Sequence, residues 1–447
     1  MSQFLEKYKE NLSTRLPVKK IGFVREIVVS TVKAVLPQVT QGELCEIETI
    51  YGKPILAEVI AFSGNLATLT CLESVEGVHL GAKVTQLGKP HSVKAREEIF
   101  SSVMDGMGRN MEYPSDSLKG ALSFDEDATP VLRSAPLALH RPPVSEKLIT
   151  GVRVIDGLMT LGKGQRVGIF SPPGCGKSTL LAQIARGADV DTIVFALVGE
   201  RGRELREFME NEITPDIRAK SIFVCATSDK AAIERVRAAF TAVSVAEYLR
   251  DQGKSVLLLV DSLTRLARAQ RELGLMAGEP VTASGFTPSV YSLLPEVIER
   301  AGRTTKGCIT AIYTVLTEKE RLEDDPVASE AKSLLDGHII LSTKLVERAH
   351  FPAIDPLKSL SRVMHNIVTP EHLKNAGSVR KALSTYDEIE LLLRIREYES
   401  GTDPLIDESV KIKPLIDTWA KQGKDEFAEL TSTTSRMATI VKGLERI

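Results

Sequence analysis

The stretch from Arg166 to Ala188 constrains the fold of this chain more than any other. Val167–Gly168–Ile169–Phe170 is a short apolar run of strand type. Ser171–Pro172–Pro173–Gly174–Cys175–Gly176–Lys177–Ser178–Thr179 is a glycine-bearing loop, and Leu180–Ala188 favours a helix. A strand that passes through such a loop into a helix makes a cradle for phosphate. Its glycines let successive backbone N–H groups converge on an anion at the positive end of the helix. In this reading Pro173, Gly174, Cys175, Gly176 and Thr179 belong to the cradle. Lys177 neutralises the β- and γ-phosphates of a nucleotide, and the Ser178 hydroxyl ligates Mg²⁺. One departure stands out from the pattern GxxxxGK[ST]: Ser171 replaces the first glycine, and two prolines follow it. Proline has no N–H to donate, so the outer part of the cradle is expected to be stiffer and to lose one contact.

Two carboxylates join this loop on the same argument. Val256–Val260 is an apolar strand closed by Asp261, which places that carboxylate at the carboxyl edge of a sheet, where nucleotides bind in open α/β folds. Asp261 is expected to hold Mg²⁺ directly or through a water. Ala196–Val198 is followed by Gly199 and Glu200, so Glu200 emerges at the same edge. A carboxylate there can orient and polarise a water for in-line attack on a γ-phosphate.

The apolar runs Arg166–Phe170, Thr192–Val198, Ser221–Ala226, Ser255–Val260 and Cys308–Val315 alternate with longer helical segments. That alternation predicts an α/β core with a mainly parallel sheet covered on both faces. Ahead of it, the short runs Val24–Val29, Val32–Leu36, Leu44–Ile47, Ile55–Phe62 and Leu66–Cys71 predict a small antiparallel barrel or sandwich. After it, Ser378–Glu399 and Ser409–Gln422 carry helical periodicity, with Trp419 and the Leu391–Ile395 cluster as their core. At 447 residues, 43% apolar and 26% charged, the chain can bury a sizeable core. Its 57 Lys and Arg against 59 Asp and Glu leave a net charge of −2, which argues against a dedicated nucleic-acid binder. The five cysteines are dispersed without a CxxC pair, so a reduced, cytoplasmic setting is expected. Between Met1 and Lys20, Phe4, Leu5, Tyr8, Leu12 and Leu16 share one helix face beside five basic and two acidic residues. The pattern suits a membrane-surface or partner contact, or an ordinary amphipathic terminus.

With these motifs in place, the run from Ile149 to about Asn366 resembles the catalytic ATPases of type III secretion systems, relatives of flagellar export ATPases and of the catalytic subunit of rotary ATP synthases. The likeness rests on ITGVRVIDGLMTLGKGQRVGIF, LVGERGRELREF, CATSDKAAIERVRAAFTA, LLLVDSLTRLARAQRE, PSVYSLLPEVIERAG, SLLDGHIILS and FPAIDPLKSLSRVMHN. It extends more weakly into both ends of the chain. The resemblance implies a RecA-like ATPase core with an N-terminal small β-barrel and a C-terminal helical domain. The expected boundaries are 1–20 for the N-terminal segment, 21–93 for the barrel, 94–370 for the ATPase domain and 371–447 for the helices. It implies ATP and Mg²⁺ at the site, with Glu200 as the catalytic glutamate and Arg201 and Arg265 lining the nucleotide. Phe351 would stack on the adenine, and Arg362 would be an arginine finger given to a neighbouring subunit. It further implies a homohexameric ring, with Gly278–Pro295 facing the pore. The implied partners are chaperone–effector complexes, central stalk and peripheral stator proteins and a membrane export gate, with peripheral association at the inner membrane. Two other readings compete: a non-hydrolysing subunit of a rotary complex, from which Glu200 would be missing, and a Rho-like RNA translocase. The second needs a basic, aromatic-rich RNA surface, and aromatics are only 5% of this chain.

Overall fold

The computed structural model describes residues 20–28, 30–113, 120–123, 125, 127–317 and 321–444. The amphipathic segment read from residues 1–20 lies outside these, save Lys20. By its contacts the chain forms two compact units, one ending at Ser92 and taking in Ser123–Pro130, the other made of Val93–Leu122 and Val131 onward.

The first unit is a closed barrel. Its strands are β1 (Ile21–Val28), β2 (Thr31–Val35), β3 (Glu43–Ile47), β4 (Ile55–Ser63), β5 (Leu66–Cys71) and β6 (Lys83–Pro90), in the order β1-β2-β5-β4-β3-β6. Alternate residues point inward, as in β5, where Ala67, Leu69 and Cys71 are buried between more exposed neighbours. Pairing of Ile21–Phe23 with Lys83–Thr85 closes the ring, which decides for a barrel over a sandwich. Strand β6 has little strand signal of its own, because KVTQLGKP carries few apolar residues.

The second unit is built on a sheet whose strands lie in the order Ile354–Ser361, Gly337–Leu341, Arg166–Ser171, Cys308–Leu316, Ser255–Asp261, Thr192–Val198, Ser221–Ala226 and Val103–Met104. Along this order every pair is parallel except the first two strands, which run antiparallel. The five strands read from sequence are present, each within one residue of its expected limits. Both faces are buried. Val194, Ala196 and Val198 enter one core, where helix Ala232–Asp251 packs, while Ile193, Phe195 and Leu197 enter the other, with the helix Lys177–Gly187. This is why the strands read as unbroken apolar runs.

Helices Pro370–Ile395, Pro404–Ala420 and Leu430–Val441 close the chain and belong to the second unit. Trp419 is 2% exposed in their core, as expected. The Leu391–Ile395 cluster is different: Leu391, Leu392 and Ile395 are exposed, because no residue of that helix beyond Ile389 is buried.

A buried ionic knot braces the sheet. Arg300, 1% exposed, donates to the Val131 carbonyl and to Ser244 Oγ, both at 2.7 Å, and pairs with the fully buried Glu247. Arg133 also binds Glu247, at 2.7 Å. Removing one partner of a buried pair leaves charge uncompensated, at a cost of about 3–5 kcal/mol. Arg300→Ala is therefore expected to lower unfolding stability by about that amount in chemical denaturation. Arg203→Ala, at an exposed pair on a helix surface, should leave the midpoint where it is.

Candidate nucleotide site

Strand Arg166–Ser171 ends at the loop and passes into helix Lys177–Gly187, the arrangement expected from sequence. Gly174 and Gly176 have φ of 78° and 80°, a left-handed backbone that favours glycine, and they turn the chain tightly at the helix start. The N–H groups of the first helical turn, Lys177 to Thr179, precede any intrahelical acceptor and are free to meet an anion. Ser171 fits in place of the family glycine. It is fully buried, its Oγ donates to the Pro172 carbonyl at 2.7 Å, and its own carbonyl accepts from Thr317 N–H at 3.1 Å. Ser178 is exposed in the first helical turn.

The sheet order brings the carboxylates to this loop. Strand Ser255–Asp261 is separated from the loop strand by a single strand, and Thr192–Val198 lies next beyond it. Asp261 and Glu200 therefore emerge at the carboxyl edge beside Lys177. Lys177 Nζ pairs with Asp261 Oδ1 and lies 3.6 Å from Glu200 Oε1. Asp261 Oδ1 also accepts from Thr314 Oγ1 at 2.8 Å, and the Asp261–Ser262 peptide is cis. Arg265, in the helix Leu263–Met276, pairs with Glu200 Oε2 at 2.5 Å and donates to the Gly199 carbonyl at 2.8 Å. Glu200 is 9% exposed. Burial raises its carboxyl to about 7; the Asp261 charge and a hydrogen bond with Glu204 add to the rise, and Lys177 and Arg265 oppose it.

Phe351 stands across a cavity of about 540 Å³ from this loop. Cys175, Gly176 and Thr179 line one side, and Phe351, Pro352 and the Lys421–Lys424 turn line another. The Phe351–Pro352 peptide is cis, and the Phe351 carbonyl accepts from Gln422 N–H at 2.8 Å. The Gln422 side chain donates to the Gly151 carbonyl at 2.7 Å and accepts from Arg153 N–H at 2.9 Å, tying this wall to the start of the core. Sequence reasoning missed the Lys421–Lys424 wall and Thr314, since neither carries a motif.

Two of the expected residues stand apart. The Arg201 side chain is 78% exposed and pairs with Glu204, at 3.6 Å. Arg362 follows the antiparallel edge strand, whose Ser361 is paired with Gly337 at the amino end of its neighbour. Its N–H donates to the Asp336 carbonyl at 2.9 Å, and its side chain is exposed. Arg362 thus lies at the opposite edge of the sheet from Lys177, Glu200 and Asp261.

Among the described residues no three His, Cys, Asp or Glu side chains group as a metal centre. The donors at the loop nevertheless suit Mg²⁺. That ion takes hard oxygens, commonly one or two carboxylates with substrate phosphates and water. Ser178 offers a hydroxyl, and Asp261 a carboxylate whose hydrogen bonds from Lys177 and Thr314 both fall on Oδ1. Nor is any helix among them long and apolar enough to cross a membrane.

Residues 151–361 match the nucleotide-binding domain of the ATP synthase alpha/beta family, and residues 27–88 match its beta-barrel domain. Residues 368–439 match the T3SS EscN ATPase C-terminal domain. The chain is 43% identical to a type 3 secretion system ATPase of Pseudomonas syringae pv. syringae, over 98% of this chain and 97% of that protein. It is 41% identical to the flagellum-specific ATP synthase of Bacillus subtilis, over 94% and 95%. Among solved structures, the assembled ATPase EscN of enteropathogenic E. coli in complex with its central stalk EscO aligns with a TM-score of 0.86 and 43% identity, covering 94% of this chain and all of that one. Matching domain by domain and at this identity over almost its whole length, the chain belongs to the type 3 secretion system ATPases, the secretion branch of the ATP synthase alpha/beta family.

Proposed function

We propose that this ATPase hydrolyses MgATP at sites shared between neighbouring copies of the chain, and that turnover drives type III protein secretion. The observation that carries the reading is the convergence of Lys177, Glu200, Asp261 and Arg265 beside an anion-binding helix start. In the proposed reaction the backbone from Gly174 to Thr179 holds the phosphates, and Lys177 leaves its carboxylates to neutralise them. Ser178 and Asp261 hold Mg²⁺, which when bound neutralises charge building on the phosphate oxygens. Glu200 accepts a hydrogen bond from the attacking water and turns it in line with the γ-phosphate. Arg265 keeps Glu200 at that position. Phe351 stacks on the adenine, and the exposed Arg201 contributes at the mouth of the site.

Arg362 completes the site of the next subunit. What supports this is its position: it is exposed at the far edge of its own sheet, away from its own phosphate loop. A homohexameric ring follows from that reading, with the central stalk threaded as the solved complex of EscN with EscO suggests by likeness. We assign chaperone–effector complexes to the C-terminal helices, and peripheral stator and export gate proteins to the assembled ring at the inner membrane.

The main test is ATPase rate against protein concentration, with particle mass measured on the same samples. Specific activity should rise as a six-fold species appears; a constant specific activity from monomer to assembly would overturn the interface site. Glu200→Gln should bind ATP normally and lose turnover by about 10²-fold or more, read by nucleotide binding alongside phosphate release.

Arg362→Ala should cost on the order of 10³-fold. Mixed with Lys177→Ala, it should regain activity that neither variant has alone, since mixed rings contain interfaces with both groups intact. No recovery at any mixing ratio would count against action in trans.

The pH dependence follows from Glu200. Its ionised form is the active one and its carboxyl titrates near 7, so kcat/KM should fall as pH drops through about 7. Arg265 holds that value down, so Arg265→Ala should move the acid limb to higher pH. A limb that stays put in the variant would assign it to the nucleotide or to another group.

A further inference from the structure

Strand Cys308–Leu316 lies between the loop strand and the Asp261 strand. Ile309, Ala311, Ile312 and Val315 serve the cores on the two faces of the sheet. Thr314 departs from that pattern. It is fully buried, its backbone is in register with Ile169 of the loop strand, and its hydroxyl reaches across to Asp261 Oδ1 at 2.8 Å. The other acceptor within reach, the Val260 carbonyl, is 3.4 Å away. A hydroxyl has one proton, and the shorter bond to a charged acceptor takes it.

The end of the strand fixes where this hydroxyl sits. Thr317 N–H donates to the Ser171 carbonyl at 3.1 Å, and Leu316 N–H donates to Thr264 Oγ1 at 2.9 Å. Thr314 is thereby held against both the phosphate loop and the helix that follows Asp261. Its partner oxygen, Oδ1, is also the one that Lys177 pairs with. When Lys177 turns to a phosphate, Asp261 loses its cation, whereas the Thr314 bond does not depend on nucleotide.

We infer that Thr314 is a positioning residue for Asp261: it fixes the carboxylate through Oδ1 and leaves Oδ2 for the divalent cation. This rests on the reading of Asp261 as a metal residue. The side chain of valine has nearly the same shape and suits a buried strand, so Thr314→Val removes the hydroxyl with little change in packing.

The test uses the full chain and a fluorescent ATP analogue, bound first in EDTA and then titrated with Mg²⁺. Thr314→Val should bind the metal-free analogue as the parent does, yet need about tenfold more Mg²⁺ for the same gain in affinity. Thr314→Ser, which keeps a hydroxyl, should return the titration to the parent range. A Thr314→Val titration that coincides with the parent overturns the inference, and so does an equal weakening with and without Mg²⁺, which would mark loss of packing. Asp261→Asn separates the two readings. If it leaves the Mg²⁺ titration unmoved, the metal role of Asp261 fails and the inference falls with it. If it shifts the titration and Thr314→Val does not, only the role of Thr314 fails.

Discussion

A parallel sheet buried on both faces has no room for charge along its strands, so charge collects where the strands end. Most of this protein follows from that constraint. Val194 to Val198 and Val256 to Val260 serve two cores at once, and the first polar groups the chain can place after them are Glu200 and Asp261. Both are nearly buried; burial raises the Glu200 carboxyl, and the Asp261 charge adds to the rise. Lys177 stands between them and Arg265 supports Glu200 from the other side. The same contacts that make the edge tolerable without nucleotide are those a nucleotide must redistribute. In the proposed reaction ATP exchanges the carboxylates around Lys177 for phosphates.

The sheet has two ends, and the chain uses both. Lys177, Glu200, Asp261 and the Phe351 wall gather at the carboxyl edge, while Arg362 follows an antiparallel strand back to the amino edge. One subunit therefore carries half of one proposed site and the complement of another. Assembly, on this reading, is a condition of catalysis rather than an addition to it.

The C-terminal helices also reach the site. The Lys421–Lys424 turn follows helix Pro404–Ala420 directly, and Gln422 bonds at once to Phe351, Gly151 and Arg153. Four backbone and side-chain bonds tie that turn to Phe351 and to the start of the core: Gln422 N–H to Phe351, Gln422 to Gly151, Arg153 N–H to Gln422, and the Arg153 guanidinium to the Lys421 carbonyl. The exposed Leu391, Leu392 and Ile395 lie at the end of the helix packed beside Pro404–Ala420.

Local chemistry made much of this legible in advance. A glycine turn between strand and helix marks the phosphate loop wherever it occurs, and uninterrupted apolar runs mark strands buried twice, so five strands and the residues ending them could be read directly. Short polar or irregular strands could not, which is why β6, Gly337–Leu341 and Ile354–Ser361 went unseen. The family likeness supplied Arg265, Phe351 and Arg362, which no local pattern marks. What only the tertiary structure decided is adjacency. The loop strand and the Glu200 strand are consecutive along the chain, yet two later strands, Cys308–Leu316 and Ser255–Asp261, insert between them. That insertion sets Thr314 beside Asp261 and Lys177 between two carboxylates, while the antiparallel pairing of Ile354–Ser361 with Gly337–Leu341 returns Arg362 to the amino edge. Sequence fixes which residues end strands; the order in which strands pair, set by burying both faces of the sheet, determines which of those ends meet.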